Sequence, residues 1–171
     1  YTSSSFYIVA HPDDWQLFMG KDAWDDMDLN TRKVVFILLT AGDACNGTGD
    51  CAYQIPYFVS RESGAKNSVY LAADNSFSPP SGSGRPVNKA VSVNNHTLIK
   101  WQYKNIVTYF LRLPDGRPHF SNSTHFTCGF NPQDSTYINL FRRGILQKLS
   151  DITGETTYRQ WSDLANTVGT V

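Results

Sequence analysis

No apolar run in this chain approaches the roughly 20 residues that a membrane-spanning helix needs, so the sequence offers no transmembrane segment. An excess of either charge is also missing. Fifteen Lys and Arg balance fifteen Asp and Glu, which leaves no broad field to attract phosphate backbones and makes nucleic acid a poor fit as a partner. Cysteine is scarce, with three residues and no C-x-x-C pair, so a zinc site built from cysteine pairs is not expected. Tyr1 to Ser5 do not have the character of a signal peptide. Because the chain begins at Tyr1 rather than Met, an upstream segment is expected to have been removed, a secretory leader being one candidate.

What is present is enough for a core. With 171 residues, 40% of them hydrophobic and 13% aromatic, the chain suits one globular domain or a large piece of one. Asn46-Gly47-Thr48, Asn95-His96-Thr97 and Asn122-Ser123-Thr124 match the N-glycosylation acceptor pattern and fall in segments that read as loops or turns. Cys45 and Cys51 flank a Gly-rich stretch where a disulfide would close a small loop in an oxidising compartment, leaving Cys128 over. Together these features predict a secreted glycoprotein.

Phe6 to Ala10 reads as a first strand buried on both faces, ending at His11-Pro12. A short helix is expected around Ala23 to Leu29, and Lys33 to Thr40, rich in β-branched and aromatic residues, is the clearest strand. Phe58 to Ala73 reads as a helix with Val59, Gly64, Ala65, Val69 and Ala72 on its packed face, and the Ser, Pro and Gly of 74–86 as a surface loop. Val91 to Trp101 has the alternation and turn residues of a hairpin, followed by a strand at Ile106 to Leu113. Ile138, Phe141, Ile145 and Leu149 recur at helical spacing, and a last helix is expected from about Arg159 to Val168, packed through Trp161, Leu164, Ala165 and Val168. This order of elements predicts an α/β fold.

His11-Pro12-Asp13-Asp14 directly follows the first strand, and ligands of open α/β sheets bind at the carboxyl ends of strands. An imidazole and a carboxylate suit zinc, and catalytic zinc takes three protein ligands with one position left to water. His11 and Asp14 would supply two of the three, while Pro12 stiffens the turn. The neighbouring Asp13 is then placed to act as a general base. On the other reading His11 merely ends a strand, and the two Asp make turn or helix-cap hydrogen bonds.

The run Ala10-His11-Pro12-Asp13-Asp14 resembles the signature of the PIG-L/LmbE-like zinc-dependent de-N-acetylases. Thr40-Ala41-Gly42-Asp43 is similar to that family's Thr-x-Gly-Asp/Glu turn, Arg61-Glu62-Ser63-Gly64-Ala65 to its Arg-Glu-x-Gly-Ala helix start, and Leu113-Pro114-Asp115-Gly116 to its Leu-Pro-Asp-Gly motif. The resemblance implies a Rossmann-like three-layer sandwich with a mostly parallel sheet, of which residues 1–171 would be the N-terminal portion. It implies a hydrolase that removes the acetyl group from an N-acetylglucosamine-type sugar, with Zn2+ as cofactor. His11 and Asp14 become metal ligands, Asp13 the base that activates water, and Asp43, Arg61 and Asp115 residues near the substrate pocket. Each of the last three has a plainer alternative: Arg61 as an ion-pair partner beside Glu62, Asp115 as a turn former, Asp43 as a loop cap.

Two departures from the pattern matter. Many family members carry Glu after the Asp pair, whereas this chain has Trp15, which would either stack on a sugar or simply pack. The family's third ligand is a late His, and no His follows Asp134. His96, His119 and His125 lie in no such motif, and His119 and His125, which flank a sequon in a loop, are expected at the surface. The missing ligand is therefore expected from a downstream portion or another chain that completes the domain, and the 171 residues alone are expected to be inactive. The rival expectation is a non-catalytic glycan-binding or structural homologue.

Overall fold

Residues 1–29, 31–43, 57–76, 84–116 and 136–171 are described in a computed structural model of the chain. The expectations for Cys45, Asn46, Cys51, His119, Asn122, His125 and Cys128 lie outside these residues.

The uninterrupted apolar stretch of 33–40 forms β2 (Arg32–Thr40), a strand buried on both faces. Strand alternation sends Val34, Phe36 and Leu38 into one core and Val35 and Ile37 into the other. β1 (Ser3–Val9) and β5 (Ile106–Leu113) pair with β2 in parallel. The hairpin of β3 (Val87–Val93) and β4 (His96–Tyr103) extends the sheet from β5, with β4 antiparallel to both neighbours. The order is β1-β2-β5-β4-β3, so four strands run one way and β4 the other. Asn94 and Asn95 turn the hairpin with φ of 48° and 63°, the left-handed pair that a two-residue turn requires and that Asn tolerates. The expected hairpin is thus present, and Asn95 lies exposed at its tip.

One face of the sheet is covered by α1 (Asp14–Phe18), α2 (Gly20–Met27) and α3 (Tyr57–Asn75), which contribute Trp15, Ala23, Met27, Ala65 and Val69 to the core. The other face is covered by α4 (Tyr137–Arg142), the short ribbon β6 (Leu149–Ser150) and β7 (Thr157–Tyr158), and α5 (Trp161–Thr170), through Phe141, Leu149, Tyr158 and Leu164. The α/β class expected from the sequence is therefore observed. No helix among the described residues is long and apolar enough to cross a membrane.

Several local expectations need correction. β1 is not buried on both faces: it is an edge strand of the described sheet, and Phe6 and Ile8 are 54% and 52% exposed while Tyr7 and Val9 are buried. The expected helix through Leu149 stops at Arg142, because Gly144 takes a left-handed φ of 71°. Ile145 is then exposed, and Leu149 enters β6. In α5 the inward face is Leu164 and Thr167, not Trp161 and Ala165. In α3 Val59 and Gly64 face outward, and the buried side includes Glu62.

Candidate functional site

Because β1, β2 and β5 are parallel, the segments that follow them emerge at one edge of the sheet. Hydrogen bonds stitch these segments together. The backbone N and Oγ1 of Thr40 both donate to the carbonyl of Ala10, at 2.9 and 2.7 Å, and the Ala41 N–H donates to Leu113 O at 2.9 Å. Gly42 adopts φ of 63°, and a Cβ there would lie 2.7 Å from Arg61 Nε and 2.9 Å from Pro12 Cδ. Only glycine allows this close approach of the second segment to the first.

The His11 imidazole stands between two carboxylates. Its Nδ1 is 3.3 Å from Asp14 Oδ2 and its Nε2 is 3.2 Å from Asp115 Oδ1. Asp14 Oδ2 also accepts from the His11 backbone N at 2.9 Å, which is the turn hydrogen bond of the plainer reading. The hydrogen bond to Asp115 is the main cause that raises the His11 pKa to about 9, with Asp14 assisting and burial opposing. An imidazole must lose its extra proton before it can bind a metal.

Asp115 is itself held in place. Its Oδ1 accepts from Gly116 N at 2.8 Å, and its own N–H donates to Asp43 Oδ1 at 2.8 Å. Asp43 thus holds the loop after β5, as its plainer alternative had it, while also helping to position a carboxylate beside His11.

Asp13 occupies the N-cap position of α1 without making a side-chain cap hydrogen bond. Its carboxylate turns instead to Arg61 on α3, whose Nη2 and Nη1 donate to Oδ1 and Oδ2 at 3.0 and 3.2 Å. Arg61 is therefore no partner of Glu62. Glu62 is buried and takes a two-point contact from Arg112, Nε to Oε1 at 2.6 Å and Nη2 to Oε2 at 3.1 Å. Sequence reasoning missed Arg112, although a lone cation inside the apolar run 106–113 was a signal that a buried acid would face it.

A groove of about 350 Å³ opens beside Asp13 and is lined by Pro12, Gln16, Tyr57, Arg61 and Gly64 among others. A second cavity, about 490 Å³, begins at Pro114 next to Asp115 and runs along Tyr137 and Leu149. Both lie in the range of small-molecule sites. Trp15 lines neither: it is buried against Phe36 with ring centroids 5.0 Å apart, so it packs and does not present a stacking surface.

The structure brings together His11, Asp13, Asp14, Asp43, Arg61 and Asp115. It does not bring His96 to them: His96 Nε2 is 2.8 Å from Asp163 Oδ1, and its ring lies tilted against Tyr158 with centroids 4.4 Å apart. In kind, the nitrogen of His11 and the oxygens of Asp14 are donor types that suit zinc, and they would make two ligands. Among the described residues no group of three or more His, Cys, Asp or Glu is placed to hold a metal ion. No protein-family model, curated protein or solved structure matches the chain.

Proposed function

We propose that the chain is part of a metal-dependent amidohydrolase of the PIG-L/LmbE-like kind, which removes the acetyl group from an N-acetylated amino sugar. The observation that carries this reading is the convergence of His11, Asp13 and Asp14 with Asp43, Arg61 and Asp115 at the carboxyl edge of the parallel strands. The finer fold description that goes with it is a Rossmann-like three-layer sandwich.

In this reading His11 and Asp14 hold a divalent metal, zinc by preference, and a third ligand comes from outside the described residues. When bound, the metal supplies Lewis-acid polarisation of a water and of the amide carbonyl. Asp13 takes a proton from the attacking water. The C–N bond then breaks, and the proton ends on the departing amine, giving acetate and a free amino sugar. Arg61 fixes both oxygens of Asp13 while leaving lone pairs to accept that proton. Asp115 keeps the His11 ring in a single orientation, and Asp43 keeps Asp115 in place. The groove beside Asp13 would hold the sugar. Asn95, exposed on its hairpin turn, is accessible to a glycan, in keeping with a secreted glycoprotein.

One observation favours the rival reading of a glycan-binding or structural homologue: the described residues hold no complete set of metal ligands. Metal content and acetate release from an N-acetylglucosamine derivative, measured on the parent protein, separate the two. One equivalent of metal and metal-dependent acetate release support the hydrolase. Sugar binding that is indifferent to chelator, with no acetate released, overturns it.

A further inference from the structure

At the opposite edge of the sheet from the His11 segment lies a groove to which the hydrolase reading gives no role. Its floor is formed by two cross-strand pairs of the β3–β4 hairpin, Val87 opposite Gln102 and Lys89 opposite Lys100, with Arg85 and Lys104 also lining it. It encloses about 380 Å³, and among the described residues no carboxylate lines it. Two ammonium groups directly opposite each other in an antiparallel pair destabilise a sheet, so stability alone would favour an acid at one of the two positions. Lys33 on β2 lies on the same face, by alternation with Val35. Burial lowers the Lys100 pKa, and the charges of Lys33 and Lys89 push it lower still. Lys104 is different, since it is paired with Asp74 at 2.9 Å and donates to Ala73 O at 2.8 Å. Among the described residues the groove's cations without a carboxylate partner are thus Arg85, Lys89 and Lys100, the last lying 6.0 Å over the Tyr109 ring, a local excess in a chain with no net charge.

We propose that this groove binds the oxyanion of a soluble phosphate or sulfate ester of about sugar size. Lys89 and Lys100 clamp the anion from the two strands, and Arg85 adds planar donors. The exposed Val87 side chain offers an apolar surface to the body of the ligand. The volume suits a compact ligand and not an extended polymer. None of this depends on the His11 cluster, so the site stands or falls apart from the hydrolase reading.

Glucose 6-phosphate, glucose 6-sulfate and glucose are the probes, titrated into the protein at low salt and followed calorimetrically. Saturable binding of either ester, absent for glucose, is expected. The Lys89→Gln/Lys100→Gln double variant should bind at least about tenfold more weakly, as the loss of charge-assisted hydrogen bonds implies. Lys89→Glu serves as the control for folding: replacing a repulsive pair with an attractive one should raise the melting temperature while abolishing ester binding. Failure of both esters to bind at millimolar concentration overturns the proposal, as does unchanged binding in Lys89→Glu. Binding to vesicles of a phosphoinositide without binding to either soluble ester also overturns it, because the anion would then be a lipid headgroup.

Discussion

Arg61 grips both carboxylate oxygens of Asp13, at 3.0 and 3.2 Å, across 48 residues of chain. A planar guanidinium holding a carboxylate at two points fixes its orientation as well as its charge, which an ammonium group cannot do. If Asp13 is the base, its orientation governs turnover while the metal rests on His11 and Asp14. Asp13→Asn in the parent protein should therefore keep near wild-type metal and lose about 10²–10⁴-fold in kcat. Arg61→Lys should lose less, chiefly in kcat and not in metal content. Metal lost in Asp13→Asn but kept in Asp14→Asn would reverse the two assignments.

Gly42 tests the same pair through its backbone. Its φ of 63° already disfavours any side chain, and a methyl there would meet Arg61 Nε at 2.7 Å and Pro12 Cδ at 2.9 Å. Arg61 is the softer of the two neighbours and would move away from Asp13. Gly42→Ala is expected to cost about 1–3 kcal/mol of stability and to lower kcat further than that loss accounts for. Chemical denaturation alongside initial rates checks both; a variant as active as wild type would show that the Arg61 contact does not matter to turnover.

The parts of the fold that were legible were those decided locally. Lys33 to Thr40 was legible as a strand from its β-branched and aromatic residues, and Asn94-Asn95 announced its turn because Asn accepts the left-handed region. Ile145 and Leu149 misled because helical spacing carries no information about Gly144, which takes φ of 71° just before them. Phe6 and Ile8 read as core because a run of apolar residues does not say whether a partner layer covers it. At the site, each segment was legible as the end of a strand. The pairings were not: Asp43 with the Asp115 N–H and Glu62 with Arg112 join residues 72 and 50 positions apart, which only the assembled sheet can select.

The Glu62–Arg112 pair has its own consequence. Glu62 is 4% exposed, and Arg112, held at a φ of 55°, packs its guanidinium over Phe58 at 5.3 Å. Lys66 Nζ also lies 3.4 Å from Glu62 Oε2, so removing the Glu62 charge leaves two cations without their acid at a cost of about 3–5 kcal/mol, whereas replacing Glu62 and Arg112 together with apolar groups leaves only Lys66 to be rehydrated and costs much less. Glu62→Gln should lower the melting temperature by roughly 6–20 °C for a domain of this size. Glu62→Met combined with Arg112→Leu should recover most of that loss. Thermal melts of the two single variants and the double complete the cycle, and additive losses would show that the pair is not coupled.

The last prediction concerns pH, and it follows from the position of His11 between Asp115 and Asp14. In the metal-free protein the hydrogen bond to Asp115 raises its pKa to about 9, above the ordinary imidazole value of 6.5. A folded state that holds a proton more tightly than the unfolded state is stabilised wherever that proton is bound in the folded form. The contribution is fully present below about pH 6.5 and is lost as pH rises through about 9. The carboxylates with lowered pKa values, Asp26, Asp74 and Asp163, act below this window, and the raised phenols of Tyr7, Tyr103 and Tyr158 act above it. With 39% of the His11 side chain exposed, solvent screening keeps the energy well below what the shift alone would suggest. In EDTA, the melting temperature of wild type should exceed that of His11→Gln by a constant margin below pH 6.5, and the margin should shrink between pH 6.5 and 9. Asp115→Asn should remove most of that slope, because it deletes the main cause of the shift while leaving Asp14 in contact with Nδ1. A margin that widens as pH rises would mean that the folded protein holds His11 neutral, and the ring would then not bridge the two carboxylates as a cation.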